Sequence, residues 1–389
     1  MSEIKVNSIK GVGASAAAIT VNNTDGTCTA NVTNKPNRNL IINGAMLVAQ
    51  RGTSSTSDGY LIDQFKTEDG GANEAGTREQ VDVAAGTTPY TEGFRKALKF
   101  TNGNQTSGAD AGDYIDIWQV IEAQNIANSG WNYTSSSSYI TLSFWVKSSV
   151  AKTFLGYVRT QDGTNYNYPY STGALSANTW TKVTKTIPGN SNLVFNNDNG
   201  SGLTVELWPY IGTSYTDSSV SLNAWKTYAG SARTPVDTGT NFWTTDNATI
   251  EITGVQLEVS DHATDFEHRP FAVEKRLCMR YYQQYNNIMM VGYAPDNSSK
   301  SYSHGFTFPV EFRSAPTLTI SNTGSTAGQY VTDGQFTKNI TSLNSVACST
   351  TFAEIYFNLS GDLVDYRGAY AVSTTSTTHQ TTYYITAEL

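Results

Sequence analysis

Residues 248–282 read ATIEITGVQLEVSDHATDFEHRPFAVEKRLCMRYY. Ala248–Glu258 mixes β-branched and polar residues in the manner of a strand. The following VSDHATDFEHRP holds turn formers and a proline, so the chain leaves that strand and crosses a joint. Phe271–Tyr282 is expected to begin with a helical turn and then become extended. The stretch closes one β-rich unit and opens another.

Upstream, strand signals recur. Thr179–Ile187 alternates cleanly, with Trp180, Lys182, Thr184 and Thr186 on one face and Thr181, Val183, Lys185 and Ile187 on the other. Tyr139–Lys147 alternates only in part, and Leu203–Ile211 is another strand. Residues 114–127 fit a helix or a strand equally. All seven Trp fall between positions 118 and 243, which marks one large core or binding surface. Many short strands separated by Gly, Asn, Ser and Asp loops predict a two-sheet sandwich of jelly-roll type. Downstream, His304–Val310, Thr317–Ile320, Ala353–Leu359 and Thr382–Leu389 predict a smaller antiparallel sandwich. No fixed-period repeat covers the chain, which argues against a solenoid. The fold expected is all-β: a segment at 1–38, a jelly-roll-like sandwich at 39–270 and a β-sandwich tip at 271–389. Residues 1–38 contain no Trp, Tyr or Phe. Such a segment buries too little to fold alone, so a partner or its own copies must order it.

Composition narrows the function. Only 15% of the 389 residues are charged, against about 25% in a typical domain. Tyr, at 23, nearly equals Lys plus Arg at 25. A net charge of −8 argues against a nucleic-acid partner, which needs a basic face. An aromatic content of 12% argues against disorder. No run reaches the roughly 18 apolar residues of a membrane span, and no secretory signal opens the sequence. Synthesis in a cytoplasm without membrane insertion is expected. Cys28, Cys278 and Cys348 suggest neither a disulfide scheme nor a metal site.

Three places carry a family resemblance. MSEIKVNSIKG followed by NLIINGAMLVAQRGTSSTSDGYLIDQF resembles the N-terminal part of tail-fibre proteins of marine cyanobacterial phages. The joint, with its QLE, AT.FE.RP and LC.RYY elements, is similar to one near the distal end of many tailed-phage fibres. FPVEFRSAPT at 308–317 and the terminal Ala387-Glu388-Leu389 resemble the tip domain of those fibres. TLSFWVKSS and TWTKVTKTIPG are looser matches to carbohydrate-binding jelly rolls. The resemblance implies a homotrimeric virion fibre of the tail, made in the host cytoplasm. Residues 1–38 would attach it to tail or adaptor proteins, and it would bind a bacterial surface polysaccharide. A purely structural connector or a depolymerase are the alternatives.

Sugar rings stack on aromatic faces, while polar neighbours bond their hydroxyls. Asn165-Tyr166-Asn167-Tyr168-Pro169-Tyr170 places three Tyr on one side of an extended segment, and Trp208-Pro209-Tyr210 is a similar pair, with Tyr157, Arg159 and Asp162 just upstream. Tyr166, Tyr168, Tyr170, Trp208 and Tyr210 are thus the candidate glycan contacts, the competing reading being core packing. Loops Asp296–Tyr302 and Ser373–Thr382 are a second candidate. No cofactor is implied. A structural calcium is conceivable on Asp58, Asp63, Asp246 or Glu258, while His262 and His268 lack zinc spacing. Asp110, Asp113, Asp116 and Glu122 are the densest acidic cluster, the place where paired carboxylates of a hydrolase would be sought. A non-enzymatic protein is expected, since no nucleophile elbow, phosphate loop or HExxH occurs.

Overall fold

The computed structural model describes residues 7–10, 19–22, 24, 28–30, 36–237, 239, 241–286, 288, 290–293, 300–323, 329–332, 337–362, 368–373 and 380–389. Strands β1 (Ser8–Ile9), β2 (Ile19–Val21) and β3 (Cys28–Ala30) pair antiparallel in a small sheet of their own. Next come β4 (Ser54–Ser55), β5 (Gly59–Ile62), β6 (Phe65–Gly70), β7 (Thr77–Asp82), β8 (Lys96–Thr101) and β9 (Tyr114–Glu122). They are followed by β10 (Tyr139–Ser148), β11 (Thr153–Thr160), β12 (Tyr166–Ala174), β13 (Thr181–Pro188), β14 (Ser201–Ile211), β15 (Lys226–Thr227) and β16 (Thr249–Glu258). These thirteen strands form a six-stranded sheet, β13-β10-β16-β8-β7-β4, and a seven-stranded sheet, β15-β12-β11-β14-β9-β6-β5. Every pairing within them is antiparallel. The chain is an all-β protein, as its strand signals predict.

The two sheets share one apolar core. On β13, Val183 and Ile187 are buried while Lys182 and Thr184 are exposed, following the clean alternation. On β10, Ile140, Leu142, Phe144 and Val146 enter the same core, but Trp145 on the opposite face packs with Phe94 and Val83. Burial on both faces is why alternation there was incomplete. The ambiguous 114–127 stretch is strand β9 followed by the single turn α1 (Ala123–Ala127). Ile115, Ile117 and Ile121 point inward at two-residue steps. Between β10 and β16, Ser143 faces Gln256 but Trp145 faces Thr253, so an extra residue bulges at Gly254–Val255. Gly254 takes φ +64°, and a side chain there would run into the Phe94 ring.

Past the joint, α2 (Phe271–Cys278) gives way to β17 (Tyr282–Asn286), the helical turn and extension expected. Strands β18 (Met290–Tyr293), β19 (Lys300–Thr307), β20 (Thr317–Thr323), β21 (Gln329–Thr332), β22 (Thr337–Cys348), β23 (Phe352–Leu359), β24 (Gly368–Ser373) and β25 (Gln380–Thr386) complete the chain. One layer is β17-β25-β20. The other six strands close on themselves in the order β18-β19-β23-β22-β21-β24. Phe308, Phe312, Ile340, Ile355, Phe357, Tyr383 and Ile385 fill the core between them.

The joint is held by the residues that carry the resemblance. Glu258 accepts hydrogen bonds from the Thr264 amide (2.8 Å) and hydroxyl (2.6 Å). Glu267 accepts from the Asn39 amide at 2.7 Å, and the Arg269 guanidinium donates to the Asn39 and Ile41 carbonyls. Arg280 forms a bidentate pair with Glu122 (2.7 and 2.9 Å), whose Oε1 also accepts from the Tyr281 hydroxyl at 2.7 Å. Tyr282 lies under the Arg51 guanidinium at 3.5 Å. Arg51 also pairs with Glu388 at 2.6 Å. Burial would raise the Glu122 carboxyl, but Arg280 and Tyr281 hold it below its usual range.

Candidate functional site

The structure relocates the aromatic candidates. Tyr168 and Tyr170 point into the inter-sheet core and are 4% and 1% exposed. Tyr210 joins them there at 4%. A register shift between Leu207 and Tyr210 turns Trp208 to the opposite face of the sheet, where it is fully buried. The expected Trp208–Tyr210 pair is therefore split by the β14 bulge at Pro209. These four rings pack against protein and offer no face to a sugar. Tyr166 alone of the five is half-buried, at the edge where β12 meets β15. Of the loop candidates, 296–299 and 374–379 lie outside the described residues.

The chemistry gathers instead on the outer face of the seven-stranded sheet, away from the core. Pairing registers place Asn167 beside Arg159, Arg159 beside Thr204, Tyr157 beside Glu206, Glu206 beside Trp118 and Trp118 beside Lys66. Directly paired residues share a face, so these side chains form two neighbouring rows on it, Asn167–Arg159–Thr204 and Tyr157–Glu206–Trp118–Lys66. Gly156 makes room beneath it, because a Cβ there would lie 2.5 Å from the Tyr170 ring. The Tyr170 hydroxyl donates to the Glu206 carbonyl at 2.8 Å.

Residues 212–237 fold back over part of this face. The Asn223 amide donates to the Pro169 carbonyl, and the Tyr228 amide to that of Asn165, each at 2.8 Å. Lys152, buried, pins the far end of the segment through Asp237 at 2.7 Å. The segment brings Tyr215, Leu222 and Tyr228 against Tyr157 and Trp208. Arg159 stacks on Tyr228 at 4.6 Å, and Arg233 lies 4.7 Å from Tyr215 and 5.4 Å from Trp208. At the uncovered end, half-buried Trp118 meets Tyr60 edge-on at 6.4 Å, with the Lys66 ammonium over its ring at 4.9 Å.

Several polar groups here are incompletely satisfied. Asp116 Oδ1, Arg159 Nε and Asn167 Oδ1 are buried and have no hydrogen-bond partner among the described residues. Burial pushes the Glu206 carboxyl up from 4.5 to about 7, against the pull of Tyr157, Arg159 and Arg233. Burial also pushes Asp116 well above the carboxylate range, reinforced by Glu206 and Glu68. Half-open aromatic rings, guanidiniums and carboxylates on one sheet face are suited to holding a flat, hydroxyl-rich ligand.

The acidic cluster does not assemble. Asp110 is exposed, Asp113 accepts from the Asp110 amide at 2.6 Å, Asp116 lies on the sheet face, and Glu122 is held by Arg280 at the joint. Among the described residues, no group of three His, Cys, Asp or Glu is placed to hold a metal. Of the conceivable calcium ligands, Asp58 pairs with Arg78, Asp63 accepts from the Gln50 amide and Glu258 accepts from Thr264. Asp246 is exposed. Cys278 and Cys348 are free thiols. Two clefts of 710 and 800 Å³ open along the joint. Their Arg269 and Arg280 walls are already engaged by protein groups, so the sheet face is the better candidate. No described helix is long and apolar enough to cross a membrane.

Sequence reading missed Trp118, Glu206, Tyr228 and Arg233. The two-residue step of Thr204, Glu206 and Trp208, in register with Tyr157 and Arg159, was the available signal.

No family model matches the chain, and no curated protein matches it. Among solved structures it is similar to the enzymatically active domain of bacteriophage CBA120 tailspike protein 4. The identity is 12% over 59% of this chain and 24% of that one, with a TM-score of 0.31. This chain thus covers about a quarter of that protein's length. It is also similar to a CBM4 (12% identity, 56% and 98% of the two chains, TM-score 0.28). A family 11 carbohydrate-binding module from Clostridium thermocellum, in complex with a β-1,3-1,4-mixed-linked tetrasaccharide, matches at 10% identity over 57% and 96%, with a TM-score of 0.25.

Proposed function

We propose that this protein binds a glycan on the outer face of its seven-stranded sheet. The observation that carries the reading is the group of half-buried Tyr60, Trp118, Arg159 and Tyr228 on this face, with Tyr157 and Glu206 buried among them and the Arg159 Nε left without a partner among the described residues. The Tyr60, Trp118 and Tyr228 rings supply stacking, and the Arg159 and Arg233 guanidiniums select hydroxyls. The segments at 1–11, 39–65, 254–282 and 308–317 that resemble tailed-phage fibres support a setting for this activity. The protein is a virion component that attaches through its N-terminal segment to the tail and adsorbs to a bacterial surface polysaccharide. It acts as a homotrimer, so that three weak sites give stable attachment by avidity. We read it as a binding protein without hydrolytic activity, since Asp110, Asp113, Asp116 and Glu122 do not converge.

Size exclusion of the full chain with surface polysaccharide from candidate host bacteria tests this. Co-elution with polymer of unchanged length is expected, with Trp118→Ala weakening binding by about 1–3 kcal/mol if stacking on sugar resembles other ring stacking. Shortened polymer would replace the binding role with a depolymerase. Co-elution unaffected by Trp118→Ala would remove the sheet face as the site.

A further inference from the structure

Half-buried arginines elsewhere are held by carboxylates or, for Arg313, by the backbone carbonyls of Asn199, Ala387 and Glu388. Arg51, Arg78, Arg269 and Arg280 are buried or half-buried, and each is paired with a carboxylate within 4.0 Å. Arg159 and Arg233 are also half-buried, yet neither has a carboxylate that close among the described residues. Arg233 donates to the Gly230 carbonyl at 3.1 Å, while Arg159 Nε has no partner. Tyr228 stacks on the Arg159 guanidinium, whose N–H groups make no hydrogen bond among the described residues.

The surrounding acids cancel this charge only in part, Glu206 being the one that attracts both arginines. Glu68 is engaged by Lys66. Asp116 and Glu206 are both pushed toward their neutral forms by burial. A partly desolvated pair of guanidiniums on an aromatic surface is then short of negative charge. A planar fork of donors matches a carboxylate better than it matches a hydroxyl.

We propose that the face takes an acidic polysaccharide, with the carboxylate of a uronic-acid residue received by Arg159 and its ring laid against Tyr228. Arg233 supplies the second positive charge. This rests on the glycan-binding reading above and specifies its ligand class.

The test uses the full chain and calorimetric titration with oligomers of galacturonate, glucuronate and mannuronate, each against its own methyl ester. The ester keeps ring and length and removes the charge. At least one acid should bind about tenfold or more tightly than its ester at low salt, with the preference shrinking as ionic strength rises. Arg159→Gln should bring the acid-to-ester ratio near one, and Arg159→Lys should restore part of it. Lys99→Gln, an equal change of charge on the other sheet, should leave the ratio unchanged. The wild-type comparison stands even if an arginine variant fails to fold. Equal binding of acid and ester, lost in Trp118→Ala, would overturn the acidic-ligand inference and leave the glycan site standing. Binding of neutral oligosaccharides or sulfated dextran with no uronate binding would overturn it likewise. Binding of no sugar at all would remove both readings.

Discussion

At the scale of single residues, the buried carboxyl of Glu206 gives the sharpest expectation. Its pKa is raised from 4.5 to about 7. A carboxyl raised in the folded state binds its proton more tightly there than in the unfolded chain. Its stabilising contribution is therefore complete below pH 4.5 and is lost as pH rises through about 7. The shift corresponds to about 3 kcal/mol. Glu206→Gln should remove this slope. Urea unfolding at pH 4.5 and pH 8 should show the variant gaining about 3 kcal/mol on the wild type between those values. A wild-type-minus-variant difference that does not change with pH would mean Glu206 is already ionised in the fold. The identity of residues was legible in the sequence here, but their direction was not. Tyr168 and Tyr170 were correctly placed on one side of an extended segment, and that side is the core. Trp208 and Tyr210 share a side in an ideal strand, and a single extra residue separates them. Periodicity identifies which residues share a face and leaves open which face meets water.

Elements were easier to read than their coverings. The strand around Thr181 follows from alternation, and the expected helical turn after the proline is the helix Phe271–Cys278. The segment 212–237 carries almost no regular structure, only β15 and a short 3₁₀ turn at Thr213–Tyr215. Its fold depends on contacts with distant strands, which no local pattern encodes. The joint has the opposite character, because its motif residues make specific bonds between elements. Glu122 at the end of β9 is fully buried and receives Arg280, Tyr281 and Gln124. Arg280→Met should leave a buried carboxylate short of its cation and cost about 3 kcal/mol. Glu122→Gln in that background should recover most of the loss, because the charge that needed the arginine is gone. Denaturant unfolding of the two single variants, the pair and the wild type closes the cycle. An additive result would show that the bidentate contact does not couple the two elements.

For the whole molecule, the all-β class was legible from composition and strand spacing. Quaternary structure rests on different observations. β1 to β3 form a sheet whose Ile9 is 53% exposed. At the joint, Phe271, Val273 and Val259 are 56%, 47% and 37% exposed. Exposed apolar side chains at the joint and in the N-terminal sheet are suited to burial against further copies of the chain. A trimer also fits the proposed activity. Single glycan sites in the millimolar range hold a surface only transiently, and linking three raises effective affinity by orders of magnitude with no new contact. Sedimentation equilibrium of the full chain should then give a particle of three times 42.2 kDa. Phe271→Glu, which puts a charge where apolar contact is expected, should lower the apparent mass and weaken attachment to cells while leaving the affinity for a short oligosaccharide intact. A particle of 42.2 kDa across the accessible concentration range would overturn the trimer, and attachment would then depend on a single site.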